Sequence, residues 1–221
     1  LVIILHENMQ HIRSIYQWID GMFADIFFFD RHDLKRIQSA KEISANSMDA
    51  IFISWLQKAD ILFDKTGTIT AMKEDKTFEQ RCVMSQNEQW DVWQKINYNL
   101  VANIRYFKSN DPLYHDALEI RLLHSVSELI SGYFTLRGMA WRGEKHAVEY
   151  IKKSAPEFYR FFQQYLVAND LQSRFILYKK MAECVFPSGS LIWSQADVIA
   201  APQLDGGDQK ALLDYWRSLC S

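Results

Sequence analysis

The chain is poor in the residues that staple small folds. It has three cysteines in 221 residues, Cys82, Cys184 and Cys220, far apart and in no Cys-x-x-Cys or Cys/His spacing. That pattern excludes a disulfide framework and a zinc site of the usual spacing, and it fits a reducing cytoplasmic setting. Long hydrophobic runs are also missing. Leu1 to Leu5 and Ile26 to Phe29 are too short to span a bilayer, and no signal-peptide pattern is visible. There is no excess of basic charge: 25 Lys and Arg stand against 27 Asp and Glu, a net charge of -2, which argues against wholesale binding to nucleic acid or to a membrane. Internal repeats and low-complexity segments are absent. So is a starting Met, and the chain opens at Leu1 inside Leu-Val-Ile-Ile-Leu, which reads as a strand already under way and raises the expectation of residues upstream.

What is present is ordinary for a globular protein, with 48% hydrophobic residues and enough length for one large or two small domains. Two are expected, an α/β domain over residues 1–84 and a helical bundle over 85–221. The first half reads as strand, helix, strand. Leu1 to Leu5 is a β-branched apolar run. Met9, Ile12, Ile15, Tyr16 and Ile19 follow helical spacing up to a stop at Gly21, and Phe23 to Phe29 is a second strand. Residues 33–47 read as a short solvated helix or a loop, and residues 50–55 and 59–63 as further short strands or a strand and its lead-in. From Glu88 onward the periodicity is helical. Asp111-Pro112 supplies an N-cap followed by proline at the first helical position, and Leu118, Leu122, Val126, Leu129, Tyr133 and Leu136 form one apolar stripe. Residues 143–153, 155–168 and 170–184 predict three more helices, and 208–219 a last one, with Pro187-Ser-Gly189 and Pro202 as breaks.

The chemistry centres on Asp20-Gly-Met-Phe-Ala-Asp25-Ile-Phe-Phe-Phe-Asp30, three carboxylates around an apolar run. A carboxylate between apolar neighbours on a buried strand must be paired, protonated or metal-bound, so Asp25 is either a site acid or a structural ion-pair partner. Asp20 is expected to end the preceding helix with Gly21, and Asp30 to open a turn. Arg142 and Lys145 sit at a helix start, where cations oppose the helix dipole. That placement fits either an anionic ligand or a solvated turn. Arg105 could reach phosphate or serve the surface. His146 reads as a helix-surface histidine, His124 as a packing one, and Asp205 and Asp208 as a glycine-rich turn and a helix cap.

The strand-helix-strand opening, the acidic strand Phe23-Ala-Asp25-Ile-Phe-Phe and the helical second half resemble the small nucleotidyltransferases of the DNA polymerase β superfamily, in particular the antibiotic (aminoglycoside and lincosamide) type. Leu1 to Leu5 then resembles the tail of the family's Asp-x-Asp strand, Asp25 falls at the third-carboxylate position, and Arg137-Gly-Met-Ala-Trp141-Arg-Gly-Glu-Lys145 is similar to the segment carrying a phosphate-contacting lysine. The resemblance implies magnesium-dependent transfer of a nucleoside monophosphate from a nucleoside triphosphate to a hydroxyl of a small acceptor, by a monomer or homodimer with no membrane or stable nucleic-acid partner. Asp25 would be a metal ligand or the base, and Lys145, Arg142 and Arg105 would meet phosphate. The family's Gly-Ser turn and paired acids are not in this sequence, so the chain by itself is expected to be inactive.

Two other likenesses accompany it. Asp64-Lys-Thr-Gly67-Thr after Ile61-Leu-Phe resembles the phosphorylated-aspartate motif of P-type ATPases and haloacid-dehalogenase-like phosphotransferases, with Asp64 as nucleophile; the bland reading of the same residues is a tight turn. A ribonuclease-type helical domain would need an Arg-to-His spacing that Arg142 to His146 misses by one residue. A decayed α/β half beside a partner-binding helical half is the non-catalytic alternative.

Overall fold

A computed structural model of the chain describes residues 1–186 and 209–219. The expectations for Asp205, Asp208, Pro187-Ser-Gly189 and Pro202 lie outside the described residues. The N-terminal part is a mixed β-sheet with helices, and the part that follows is helical.

Three strands open the chain: β1 (Val2–Leu5), β2 (Ser14–Ile19) and β3 (Met22–Asp30), in spatial order β1-β3-β2. β1 runs parallel to β3, with Val2 beside Phe27, while β2 runs antiparallel, with Tyr16 opposite Asp25 and Trp18 opposite Phe23. The helix expected over residues 9–21 is therefore a strand. Its apolar positions fit a helical period, but Asp20-Gly21 is the dipeptide of a two-residue hairpin. Both residues take positive φ, 48° and 78°, which match the twist of paired strands. Asp20 thus turns a hairpin instead of ending a helix.

Asp30 is the N-cap of α1 (Arg31–Ser39), accepting from the His32 and Asp33 amides while Asp33 reaches back to the Asp30 amide. The strand expected at residues 50–55 is also overturned, because it lies inside α2 (Met48–Lys58). Ser47 caps that helix, Asp49 sits in its first turn and Lys58 in its last, and these end signals outweigh the β-branched run between them. Arg36 locks the two helices together, donating to both Asp49 oxygens at 3.0 and 2.7 Å. Residues 59–63 form no strand. The short α3 (Thr68–Glu74) and α4 (Thr77–Arg81) follow, and β5 (Cys82–Val83) pairs in parallel with β4 (Ile43–Ser44).

One core lies between the sheet and these helices. Phe29 meets Phe52 at 4.5 Å and Phe27 meets Trp55 at 4.7 Å, over Leu34, Ile37 and Ile53. The other core is built by α5 (Gln86–Phe107), α6 (Pro112–Thr135), α7 (Glu144–Ser154), α8 (Pro156–Val167) and α9 (Leu171–Val185). Here the sequence-level expectations match the structure: Asp111 accepts from the Leu113 amide and precedes Pro112, and Leu118, Leu122, Val126, Leu129 and Tyr133 are buried. Where α5 and α6 press together, a Cβ on Gly132 would come within 2.5 Å of Ile96 Cδ1, so glycine sets the approach. α10 (Gln209–Leu219) exposes Tyr215, Trp216 and Leu219.

Candidate functional site

Asp25 sits near the middle of β3, but it is exposed, where the sequence suggested enclosure by Ala24 and Ile26. The pleat explains the difference. Asp25 shares a face with Phe23, Phe27 and Phe29, and α2 covers only the Phe27–Phe29 end of it. Among the described residues no three His, Cys, Asp or Glu side chains are placed to hold a metal ion. A two-magnesium centre held by three acids therefore does not fit the described residues.

α2 crosses the sheet with Phe52 over Phe29 and Trp55 over Phe27, so its direction carries Lys58, in its last turn, toward the level of Asp25. Lys58 also acts on His146 in the first turn of α7. Gly143 precedes that helix at φ +86° and offers no side-chain cap, leaving the first-turn amides without one. Arg142 is exposed, with a weak contact to Glu79 at 3.9 Å, and Lys145 is exposed at the second helical position. The His146 ring lies against Phe134 and Tyr150, at 6.1 and 6.2 Å between centroids, with Nδ1 buried and unpartnered. Burial holds its pKa below the ordinary 6.5, and the positive charges of Arg142 and then Lys58 lower it further. The positive charges of Arg142 and Lys58 thus both reach His146 at the start of an 11-residue helix, with Glu149 acting the other way.

Arg105 is elsewhere. It is exposed in the last turn of α5, its guanidinium 5.4 Å from the Tyr106 ring, which also carries Arg121 at 5.1 Å. Asp64 is engaged in its own turn, accepting from the Thr70 amide at 2.8 Å and the Thr70 hydroxyl at 3.0 Å, bonds that hold its carboxyl below the usual range. With no strand before it and an oxygen committed to α3, Asp64 is built as a turn residue.

The two histidines exchange roles relative to the sequence reading. His146 is the packed one, and His124 is 71% exposed in its side chain, with Nε2 2.8 Å from Glu128 Oε1. Around Glu128 runs a polar seam that sequence reasoning missed. Lys95 reaches the same oxygen at 2.7 Å, Asn99 donates to Oε2, and Arg121 donates to Asn103 at 2.8 Å and to Asn99 at 3.1 Å. Asn103, fully buried, in turn donates to Ser125 at 3.0 Å. Lys95, Asn99 and Asn103 at four-residue spacing was the available signal. Every member of this seam is tied to another by a hydrogen bond or an ion pair, the arrangement expected of a device that fixes helix register.

No family model matches the chain, and no curated protein matches it. The structure is similar to that of a nucleotidyltransferase-like protein of Exiguobacterium sibiricum 255-15, known from its crystal structure, with 15% identity and a TM-score of 0.39. The similarity covers 83% of this chain and 60% of that one. It is a distant structural resemblance, and it assigns no substrate, acceptor or site residue to this chain.

Proposed function

We propose that the chain binds a nucleoside triphosphate by its phosphates at the start of α7, as part of a nucleotidyltransferase that moves a nucleoside monophosphate to a hydroxyl of a small molecule such as an antibiotic. The observation that supports this reading is the convergence of Arg142 and Lys58 on His146 beside helix amides that lack a side-chain cap. Amides and the positive end of the helix favour an anion there, and a guanidinium matches phosphate oxygens two at a time. Lys145 adds a mobile charge on the same turn. Low basicity keeps His146 neutral near pH 7, so it can share a proton with a phosphate oxygen without adding to the charge.

Asp25, exposed on the sheet face that carries α2, is the carboxylate proposed to accept the acceptor's proton. Magnesium enters the proposal only as the ion that accompanies the triphosphate. The described residues bring no set of acids together around Asp25, and no step is routed through the metal.

Calorimetry with nucleoside triphosphate, with and without magnesium, tests the binding half. Arg142→Ala is expected to weaken binding about ten- to hundredfold, because a hydrogen bond to a charged group contributes about 1.5–3 kcal/mol. Arg105→Ala leaves it unchanged. A chain that takes up no nucleotide at millimolar concentration sinks the proposal. Label transfer from the α-phosphate to aminoglycosides and lincosamides by the full-length protein tests the other half: there Asp25→Asn abolishes transfer and preserves binding, while this chain alone is expected to transfer nothing.

A further inference from the structure

The β2–β3 hairpin is apolar on both faces and, among the described residues, unpaired along one edge. Tyr16, Trp18 and Phe23 lie on the face shared with α2 but beyond that helix, 59%, 71% and 57% exposed. Ile15, Ile19 and Met22 lie on the opposite face, 40%, 43% and 71% exposed. Among the described residues, none of these six joins either core. The rings organise themselves across the strands, Trp18 edge-on to Phe23 at 5.4 Å and Tyr16 stacked with Phe23 at 6.4 Å, which leaves their outer surfaces free.

The ladder fixes which backbone groups are free. Phe28 N donates to Arg13 O at 3.0 Å, so residues 13, 15, 17 and 19 turn their N–H and C=O toward β3. Ser14, Tyr16 and Trp18 turn theirs outward. Natural edges are blunted by charge, proline, a bulge or a covering element, and Ser14-Ile-Tyr-Gln-Trp-Ile19 has neither charge nor proline and is in unbroken register with β3.

We propose that β2 is the seat of a two-fold interface with a second copy of this chain, the two β2 edges pairing antiparallel so that the sheet runs β1-β3-β2 and then through the partner's β2, β3 and β1. A two-fold axis needs a surface that matches itself, and an uncharged edge with alternating outward N–H and C=O groups does so. The six side chains expose roughly 600 Å² of apolar surface, taking each large side chain at about 150–250 Å² when fully exposed. That is at the top of the range for the largest patch on a monomer, about 300–600 Å². Edge pairing covers the main chain of β2 and the flanks of Ile15, Tyr16, Trp18 and Ile19, while Met22 and Phe23, one strand back on β3, extend the same apolar surface along each face. The pairing would bring the Tyr16 and Trp18 rings of the two copies side by side as a continuous aromatic ladder.

Analytical ultracentrifugation of the purified chain tests this, with far-UV circular dichroism to show that each variant folds. The wild type is expected to sediment at twice the 26.0 kDa chain mass. Trp18→Lys, which places a charge on the edge, and Tyr16→Pro, which removes an outward N–H, give monomers. Leu62→Lys, at an 85% exposed apolar residue away from the hairpin, remains dimeric. A monomeric wild type, an open-ended series of larger species, a dimer undiminished by Trp18→Lys, or an equal loss in Leu62→Lys overturns the proposal. If Tyr16→Pro fails to fold, Trp18→Lys decides alone.

Discussion

The centre of α6 and the outer half of the β2–β3 hairpin are comparably apolar in sequence and opposite in fate. Leu118, Leu122 and Leu129 are at most 1% exposed, whereas Ile19, Tyr16 and Trp18 are 43%, 59% and 71% exposed. The difference lies in what surrounds each element. α6 is flanked by α5 and α9, so its stripe finds partners and even its polar residues, Arg121, Ser125 and Glu128, are met by asparagines and a lysine. Among the described residues, the core of the sheet half gathers on the Phe27–Phe29 face and covers only part of it. Apolar character therefore marks stability in the helical half, while in the hairpin it stands exposed for the association proposed above, and substitution separates the two meanings.

The widest separation is expected between Phe134→Ala and Trp18→Ala. Phe134 is 1% exposed and packs against Tyr133, Trp141 and Tyr150. Its truncation should cost about 3–5 kcal/mol. Removing the Trp18 ring should change the stability of the isolated chain by about 0.5 kcal/mol or less, as for most exposed positions. Urea midpoints measured at low protein concentration check this, and similar losses for both would dissolve the contrast.

A smaller effect is expected from Arg137→Ala, which probes how the helical half closes on itself. The Arg137 guanidinium lies 3.6 Å from the Tyr133 ring and donates to the carbonyls of Val185 at 2.6 Å and Cys184 at 3.3 Å, tying the end of α6 to the end of α9. Those carbonyls have no partner within their own helix. Loss of these charge-assisted bonds should cost about 1.5–3 kcal/mol, read as a lower midpoint, and Arg137→Lys should recover only part of it because an ammonium lacks the planar fork.

The same contrast decides what could be read from sequence. In the helical half local signals and tertiary outcome agree: Asp111-Pro112 starts α6 and the stripe from Leu118 to Tyr133 is the buried one. In the sheet half they compete. Met9, Ile12, Ile15, Tyr16 and Ile19 suit a helix or a strand, and only the Asp20-Gly21 turn breaks the tie. The apolar run Ile51-Phe52-Ile53 is helical because Ser47 caps it and Asp49 lies in the first turn. Of the site, Arg142 and Lys145 could be nominated from their place before a helix. Lys58 could not, since the run 50–55 before it reads as strand, and neither could the burial of His146, which depends on Phe134 arriving from another helix. The exposure of His124 was legible, because it lies off the stripe defined by Leu122, Val126 and Leu129.

The smallest expected effect concerns that buried histidine and sharpens the boundary between the halves, where α7 begins. His146 has a folded pKa below its ordinary 6.5, chiefly through burial and then through Arg142 and Lys58. As pH falls through 6.5 the unfolded chain takes up the proton first, so stability falls with pH and is restored above 6.5. Glu88, held low by the Ser85 amide and hydroxyl, shifts stability in the same direction but in the lower window below its ordinary 4.5. Urea midpoints at pH 7 and at pH 5.5 should therefore differ in the wild type through His146 and not through Glu88. His146→Phe keeps a ring against Phe134 and Tyr150 while removing the proton site, and should flatten the profile between those two pH values. An unchanged slope in that variant would show that the start of α7 is open to water, and that the positive charges of Arg142 and Lys58 do not act on a desolvated group.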